Sequence, residues 1–228
     1  IPLPDAPLKN PLNEMAAIAA LLPILMLASF VNGFPIIFYD TGAYILEGFQ
    51  HIFIAERSPV YSLFLKYAGG PQSLWYIAFV QCAITAFVMT EFVRALKPRL
   101  SLWTFLVIGL ILTIATGLPW YAAQIEPDCF VGVVAMALYL LAFHRADLGL
   151  SRTVLLVLSA GFGAACHSSH IGLAVGLLIV RVAGRILAMI LRRHEIPKPA
   201  LLAPLASCVL AFGIVLAVLE RKATGKGQ

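Results

Sequence analysis

The chain has 228 residues, 61% of them hydrophobic and 12% charged, with a mean hydropathy of +0.93. Soluble domains carry about 25% charged and roughly 45–50% apolar residues, so this composition leaves too little polar surface to cover a globule in water. A soluble enzyme, a disordered chain and a nucleic-acid binder are excluded, and an all-α, polytopic transmembrane bundle is expected.

A crossing helix needs about 20 mostly apolar residues. The first predicted span covers residues 15–34. A mixed stretch, 35–72, follows, with aromatics, both charge signs and Gly-Pro punctuation. Further spans are predicted over 74–96, 102–119, 130–143, 153–166, 171–191 and 201–219, seven in all within one transmembrane domain. Residues 153–191 are too long for one crossing at about 1.5 Å per residue. A hairpin with its turn at residues 166–170 is therefore expected. The glycines of this stretch (Gly161, Gly163, Gly172, Gly176, Gly184) fit close packing of helices through small residues.

Lys and Arg collect in cytoplasmic loops, and this gives the net charge of +5 a topological explanation. One side receives Lys9, Arg94, Lys97, Arg99, Arg145, Arg152, Arg181, Arg185, Arg192, Arg193 and Lys198. The other receives Arg57, Lys66, Arg221, Lys222 and Lys226. The first side is read as cytoplasmic, with the N-terminus on it. The basic tail fits less well: either a further outer segment begins there or the seventh span is misplaced. Arg181 and Arg185, one turn apart, are read as snorkelling to anionic headgroups. The four cysteines show no CxxC and no paired spacing, which argues against a metal–thiolate or disulfide framework. No cleavable signal peptide is evident, and a first residue Ile1 suggests that an N-terminal piece precedes it.

With this topology, the outer connections carry the unusual polar residues. Asp40, Glu47, His51, Glu56 and Arg57 fall in the first loop, Gln124, Glu126 and Asp128 in the second, and His167 and His170 at the third turn. The first loop also carries aromatics interspersed with charges, as helices lying in the membrane interface do. Asp40 follows an aromatic segment where partial desolvation raises a carboxyl pKa, which suits a general base. Its position ahead of Thr41-Gly42-Ala43 equally suits a helix N-cap. Arg57 has the planar fork that matches phosphate oxygens, or it pairs with Glu56 or Glu47. Glu126 and Asp128 are either helix-start acids favoured by the dipole or hard oxygen donors for a divalent ion, with His167 or His170 as further ligands. The alternative for the two histidines is ordinary hydrogen-bonded turn residues.

The sequence resembles the integral-membrane glycosyltransferases of the GT-C superfamily. The resemblance rests on a first span followed by a long outer loop and the Tyr39-Asp40-x-x-x-Tyr44 segment. It extends to Arg57-Ser58-Pro59-Val60-Tyr61 before an apolar run, and to Pro119-Trp120 with Glu126-Pro127-Asp128. It implies that the chain is the N-terminal membrane module of a longer protein. The implied activity is transfer of a sugar from a polyprenyl-phosphate donor to an acceptor at the extracytoplasmic face of a bacterial inner membrane. Asp40 would be the base, and Glu126 and Asp128 would bind a divalent metal such as Mg or Mn. Tyr44, Arg57, Tyr61, His167 and His170 would line the lipid-linked substrate. The implied partners are membrane lipids and the lipid-linked sugar, and no nucleic acid. The alternative is a non-catalytic accessory subunit of a larger membrane complex, with other membrane subunits as partners. A transporter fits less well, because the ionisable residues lie at span ends and no repeat is visible.

Overall fold

The structure is a computed structural model that describes residues 8, 10–50, 57–69, 73–191 and 202–223, without the side chains of 188, 202–203 and 216–223. His51, Glu56, Lys9, Arg192, Arg193, Lys198 and Lys226, all used in the charge reading, lie outside the described residues. Every regular element among the described residues is helical. The chain divides into two compact units, residues 1–54 with 62–130, and residues 55–61 with 131–228.

The first unit begins with α1 (Pro11–Leu25). Asn10 caps it by accepting from the Leu12 backbone N–H at 3.1 Å, and a proline opens the first turn, where no N–H is needed. An internal Pro23 precedes a break at Met26, and α2 (Leu27–Asn32) continues the helix. The stretch after α2 supplies two short helices, α3 (Thr41–Gln50) and α4 (Pro59–Phe64), the latter with residues 59–61 in the second unit and running into a π-helical turn, Leu65–Gly69. The long α5 (Leu74–Leu96) is capped by Ser73 and matches its predicted span. Next come α6 (Leu102–Ala115), capped by Ser101, the short α7 (Leu118–Ala123), and a 3-10 turn, Pro127–Phe130. The third predicted span thus stops four residues early. Its last part becomes α7, with Pro119 in the first turn where a proline is tolerated.

Helix α1 packs on α5 and α6 through Leu21, Leu25, Ile77, Ala78, Cys82 and Phe105, all buried. The two ends of this unit differ in chemistry. At one end Phe30 stacks on Trp75, with centroids 5.6 Å apart. At the other, the Arg94 guanidinium donates to Glu91 at 2.5 Å through Nη2 and lies 3.9 Å from Glu14. Arg94, one of the basic residues assigned to the inner side, lies at the end of α5 as expected and is buried, because its charge is held between two carboxylates of α1 and α5.

The second unit holds α8 (Val131–Phe143), a 3-10 turn (Arg145–Asp147), α9 (Leu150–Cys166), α10 (Ser168–Ile190) and α11 (Leu202–Ala223). The predicted hairpin between 153 and 191 is present, and its turn is shorter than expected. Helix α10 starts at Ser168, so His167 alone separates it from α9. Helix α9 sits against α8, α10 and α11, burying Leu156, Ala160 and Ala164. Close packing through glycine occurs at Gly161, where a Cβ would stand 2.7 Å from Leu210 Cδ2. It does not occur at Gly172, Gly176 or Gly184, which have open space in that direction.

Among the described residues, three helical segments are long and apolar enough to cross a membrane: Pro11–Asn32, Leu74–Leu96 and Ser168–Leu187. Four shorter apolar helices, Leu102–Ala115, Pro127–Phe143, Leu150–Cys166 and Pro204–Val215, fall within the other four predicted spans or overlap them. Large apolar side chains such as Val107, Ile111, Ile114, Ile179 and Val180 point away from the core. Such faces suit contact with lipid rather than water.

One close approach in the first unit gives a sharp test. A Cβ on Gly48 would lie 2.5 Å from the Ser62 carbonyl oxygen, a backbone atom that cannot swing aside. Gly48→Ala is expected to cost about 1–3 kcal/mol, as overpacking does. Gly42, in the same helix, has nothing within 4 Å of that position. Gly42→Ala is expected to gain up to about 1 kcal/mol from helix propensity. Thermal unfolding of both variants in detergent reads the contrast directly.

Candidate functional site

The first unit joins the segment after α2 to the segment after α7 by backbone and side-chain bonds. The Ile125 N–H donates to the Ile36 carbonyl at 2.8 Å, forming an isolated parallel bridge beside Ile37. Thr41 Oγ1 accepts from the Phe38 N–H at 2.8 Å and donates to the Ile125 carbonyl at 2.7 Å. Gln81 of α5 donates through Nε2 to the Gln124 carbonyl at 2.8 Å. These bonds consume the polar backbone groups that a loop at a membrane border would otherwise leave unpaired. They also tie residue 41 to residue 125. Asp40 and Glu126 are the chain neighbours of those two residues.

Asp40 stands at the start of α3. Its carbonyl accepts from Tyr44 N–H at 3.2 Å, the first bond of the helix, so its backbone holds the N-cap position. Asp40, Glu126 and Asp128 are each half-buried, while Tyr44 is buried at 1% exposure. Behind them, Ser62 Oγ donates to Glu47 Oε2 at 2.6 Å, and both residues are buried. Glu47 is therefore a core carboxylate with a hydroxyl partner.

Tyr121 of α7 registers the charge of the acidic loop. Its phenol is raised above the ordinary tyrosine value of 10.0 by burial first and then by the negative fields of Asp128 and Glu126. Folded chain therefore keeps this proton when unfolded chain has lost it. Stability from this group is present below pH about 10 and falls as pH rises beyond that value. A difference titration of phenolate absorbance against Tyr121→Phe is expected to show Tyr121 ionising above 10.0. Glu126→Gln with Asp128→Asn should move it back toward that value and leave the burial part and the smaller field of Cys129.

The second unit gathers the cationic residues. Ser58 Oγ donates to the Ala165 carbonyl at 2.5 Å and anchors the Arg57–Tyr61 segment beside the end of α9. His167 takes an extended backbone as the N-cap of α10, where Nδ1 accepts from Ser169 N–H at 3.3 Å. His170 is wholly buried, with Nδ1 2.8 Å from the Gly163 carbonyl. The two imidazole rings stand 5.4 Å apart. Although His167 is not helical, the pair shares one side of the turn. Arg57 is half-buried and Tyr61 is fully buried.

The eight sequence-predicted residues thus divide evenly. Asp40, Tyr44, Glu126 and Asp128 belong to the first unit, and Arg57, Tyr61, His167 and His170 to the second. Glu126 and Asp128 offer carboxylate oxygens within one short turn, a donor set that fits a hard divalent ion. Sequence reasoning missed Thr41, whose hydroxyl links the two loops. Its only signal was a position directly after Asp40. Comparison with protein families, with characterised proteins and with solved structures finds no match to this chain.

Proposed function

We propose that this chain is a seven-span, GT-C-like membrane glycosyltransferase module. It would move a sugar from a polyprenyl-phosphate donor to an acceptor on the extracytoplasmic side of a bacterial inner membrane. The observation that supports the reading is the bond from Thr41 to the Ile125 carbonyl, which joins the segments that carry Asp40 and Glu126. Asp40 would take the proton from the acceptor hydroxyl, and Tyr44 would support the helix that carries it. Glu126 and Asp128 would hold a divalent metal such as Mg or Mn, which when bound supplies positive charge for the leaving phosphate. Arg57, on the 57–61 segment, would hold the lipid-linked phosphate through charge-assisted bonds, His167 and His170 at the α9–α10 turn would add neutral N–H donors, and Tyr61 would pack behind them. Sugar transfer passes through an oxocarbenium-like transition state, so a base on one side and cationic support for the leaving group are the groups it needs.

The seven spans are the three long helices together with the four shorter apolar ones, which would cross by tilting or with locally thinned lipid. Helices α3 and α4 would lie in the membrane interface. The test is transfer of radiolabelled sugar from polyprenyl-phosphate hexoses and pentoses by the purified chain in liposomes. Label recovered on acceptor supports the reading, and label remaining on the donor lipid in every combination overturns it.

The N-cap position of Asp40 favours a second reading, in which that residue is structural and the chain is an accessory subunit of a larger membrane complex. The broad apolar faces of α10 would then receive other subunits. Stable co-purification with partner chains, together with no response to changes at Asp40, would establish this reading.

A further inference from the structure

Arg181 lies 13 residues into α10, about 20 Å along the helix from its outer start. Its guanidinium sits over the face of Phe143 of α8, 3.9 Å from the ring centroid. Tyr139 stacks on Phe143 from the same helix, with centroids 4.9 Å apart. Among the described residues, Arg181 has no carboxylate partner, and its buried Nε has no hydrogen-bond acceptor. A cavity of about 60 Å³ opens beside it, walled by Tyr139, Phe143, Leu177 and Pro204. Arg185 follows at i+4, so two like charges share one helix face and repel each other. The acid of the neighbouring turn, Asp147, is exposed and directed to His144 at 3.7 Å.

A half-buried guanidinium among apolar side chains, with a buried Nε that has no acceptor, calls for an anion, and the charge of this helix face is entirely positive. Free anions do not enter the hydrocarbon region, whereas a phospholipid brings its phosphate to the border attached to two apolar chains. The lining is apolar on the cavity side and cationic at its edge, which matches that pattern of chemistry. The aromatic face fixes the guanidinium plane and leaves its edge for phosphate oxygens. We propose that Arg181, with Arg185 as second cation, forms a binding site for the phosphodiester of an anionic phospholipid in the cytoplasmic leaflet. The leaflet rests on the topology proposed above. The lipid selectivity does not, and it is read without any sugar transfer.

The test uses native mass spectrometry of the full chain, released from micelles with equimolar phosphatidylglycerol and phosphatidylcholine. Wild-type chain is expected to retain phosphatidylglycerol about tenfold over phosphatidylcholine, which corresponds to about 1.4 kcal/mol. Arg181→Gln is expected to abolish the preference, and Arg99→Gln, at an exposed cation of the other unit, to leave it unchanged. Arg181→Lys keeps the charge without the planar stack and should lower the preference, which keeps the test decisive if Arg181→Gln does not fold. Equal retention of both lipids by wild type overturns the proposal. So does an unchanged preference in both Arg181 variants, or displacement of the lipid by excess inorganic phosphate.

Discussion

Asp40→Asn is expected to lower sugar transfer by about 10²–10⁴-fold, the range that a positioned general base contributes, while leaving the folded chain as stable as wild type. The substitution separates two roles that this residue's position allows. Asn caps a helix about as well as Asp, and the Asp40 carbonyl bond to Tyr44 N–H is untouched by a side-chain change. A purely structural Asp40 therefore predicts that Asp40→Asn behaves as wild type. In that case Asp40→Ala costs about 1 kcal/mol of stability through the lost cap. A base predicts the opposite pattern, with Asn and Ala equally inactive and differing only in stability. Transfer rate and thermal midpoint measured on the same three preparations decide it. Full activity of Asp40→Asn refutes the catalytic assignment.

The largest stability effect is expected at the other end of the first unit. Arg94 is 6% exposed, Glu91 is fully buried and Glu14 is 8% exposed. Removing one member of a buried ion pair costs about 3–5 kcal/mol, because the remaining charge is left without compensation. Arg94→Ala leaves two carboxylates facing each other, so it should fall at the top of that range. Glu91→Ala should cost less, since Glu14 still lies 3.9 Å from the Arg94 Nε. Replacing both Glu91 and Arg94 with Leu should recover much of the loss, as apolar substitutes for buried pairs do. Denaturant unfolding in micelles of wild type, the two Ala variants and the Glu91→Ala, Arg94→Ala double variant gives the double-mutant cycle. Additive losses would show that Glu91 and Arg94 do not act as a pair.

Much of the architecture was legible because lipid imposes a strong one-dimensional pattern: apolar runs become helices, since hydrocarbon leaves no water to satisfy the backbone. The span at 74–96 coincides with α5, and the 153–191 stretch folds as the expected pair of helices. Ends were read less well. Pro119 could sit in the first turn of a new helix as well as close an old one, and the chain used the first option. The hairpin turn shrank to His167 because an imidazole can cap α10 as a serine or aspartate would.

Composition and run length by themselves determined the helical class, the membrane character and the segments that carry acidic and imidazole groups. These properties depend on how many apolar residues follow one another, and each stretch of chain states that alone. The tertiary structure decided which polar residues are partners. Arg94 reads as one more basic residue at a span end until α1 brings Glu14 to it. Glu47 reads as an exposed acid until Ser62 is placed 2.6 Å away. Thr41 carries no distinguishing pattern, yet its hydroxyl holds two loops separated by 84 positions. Burial and pairing are properties of contacts between distant residues. In a low-dielectric interior the partner, more than the residue type, decides whether a charge is tolerated.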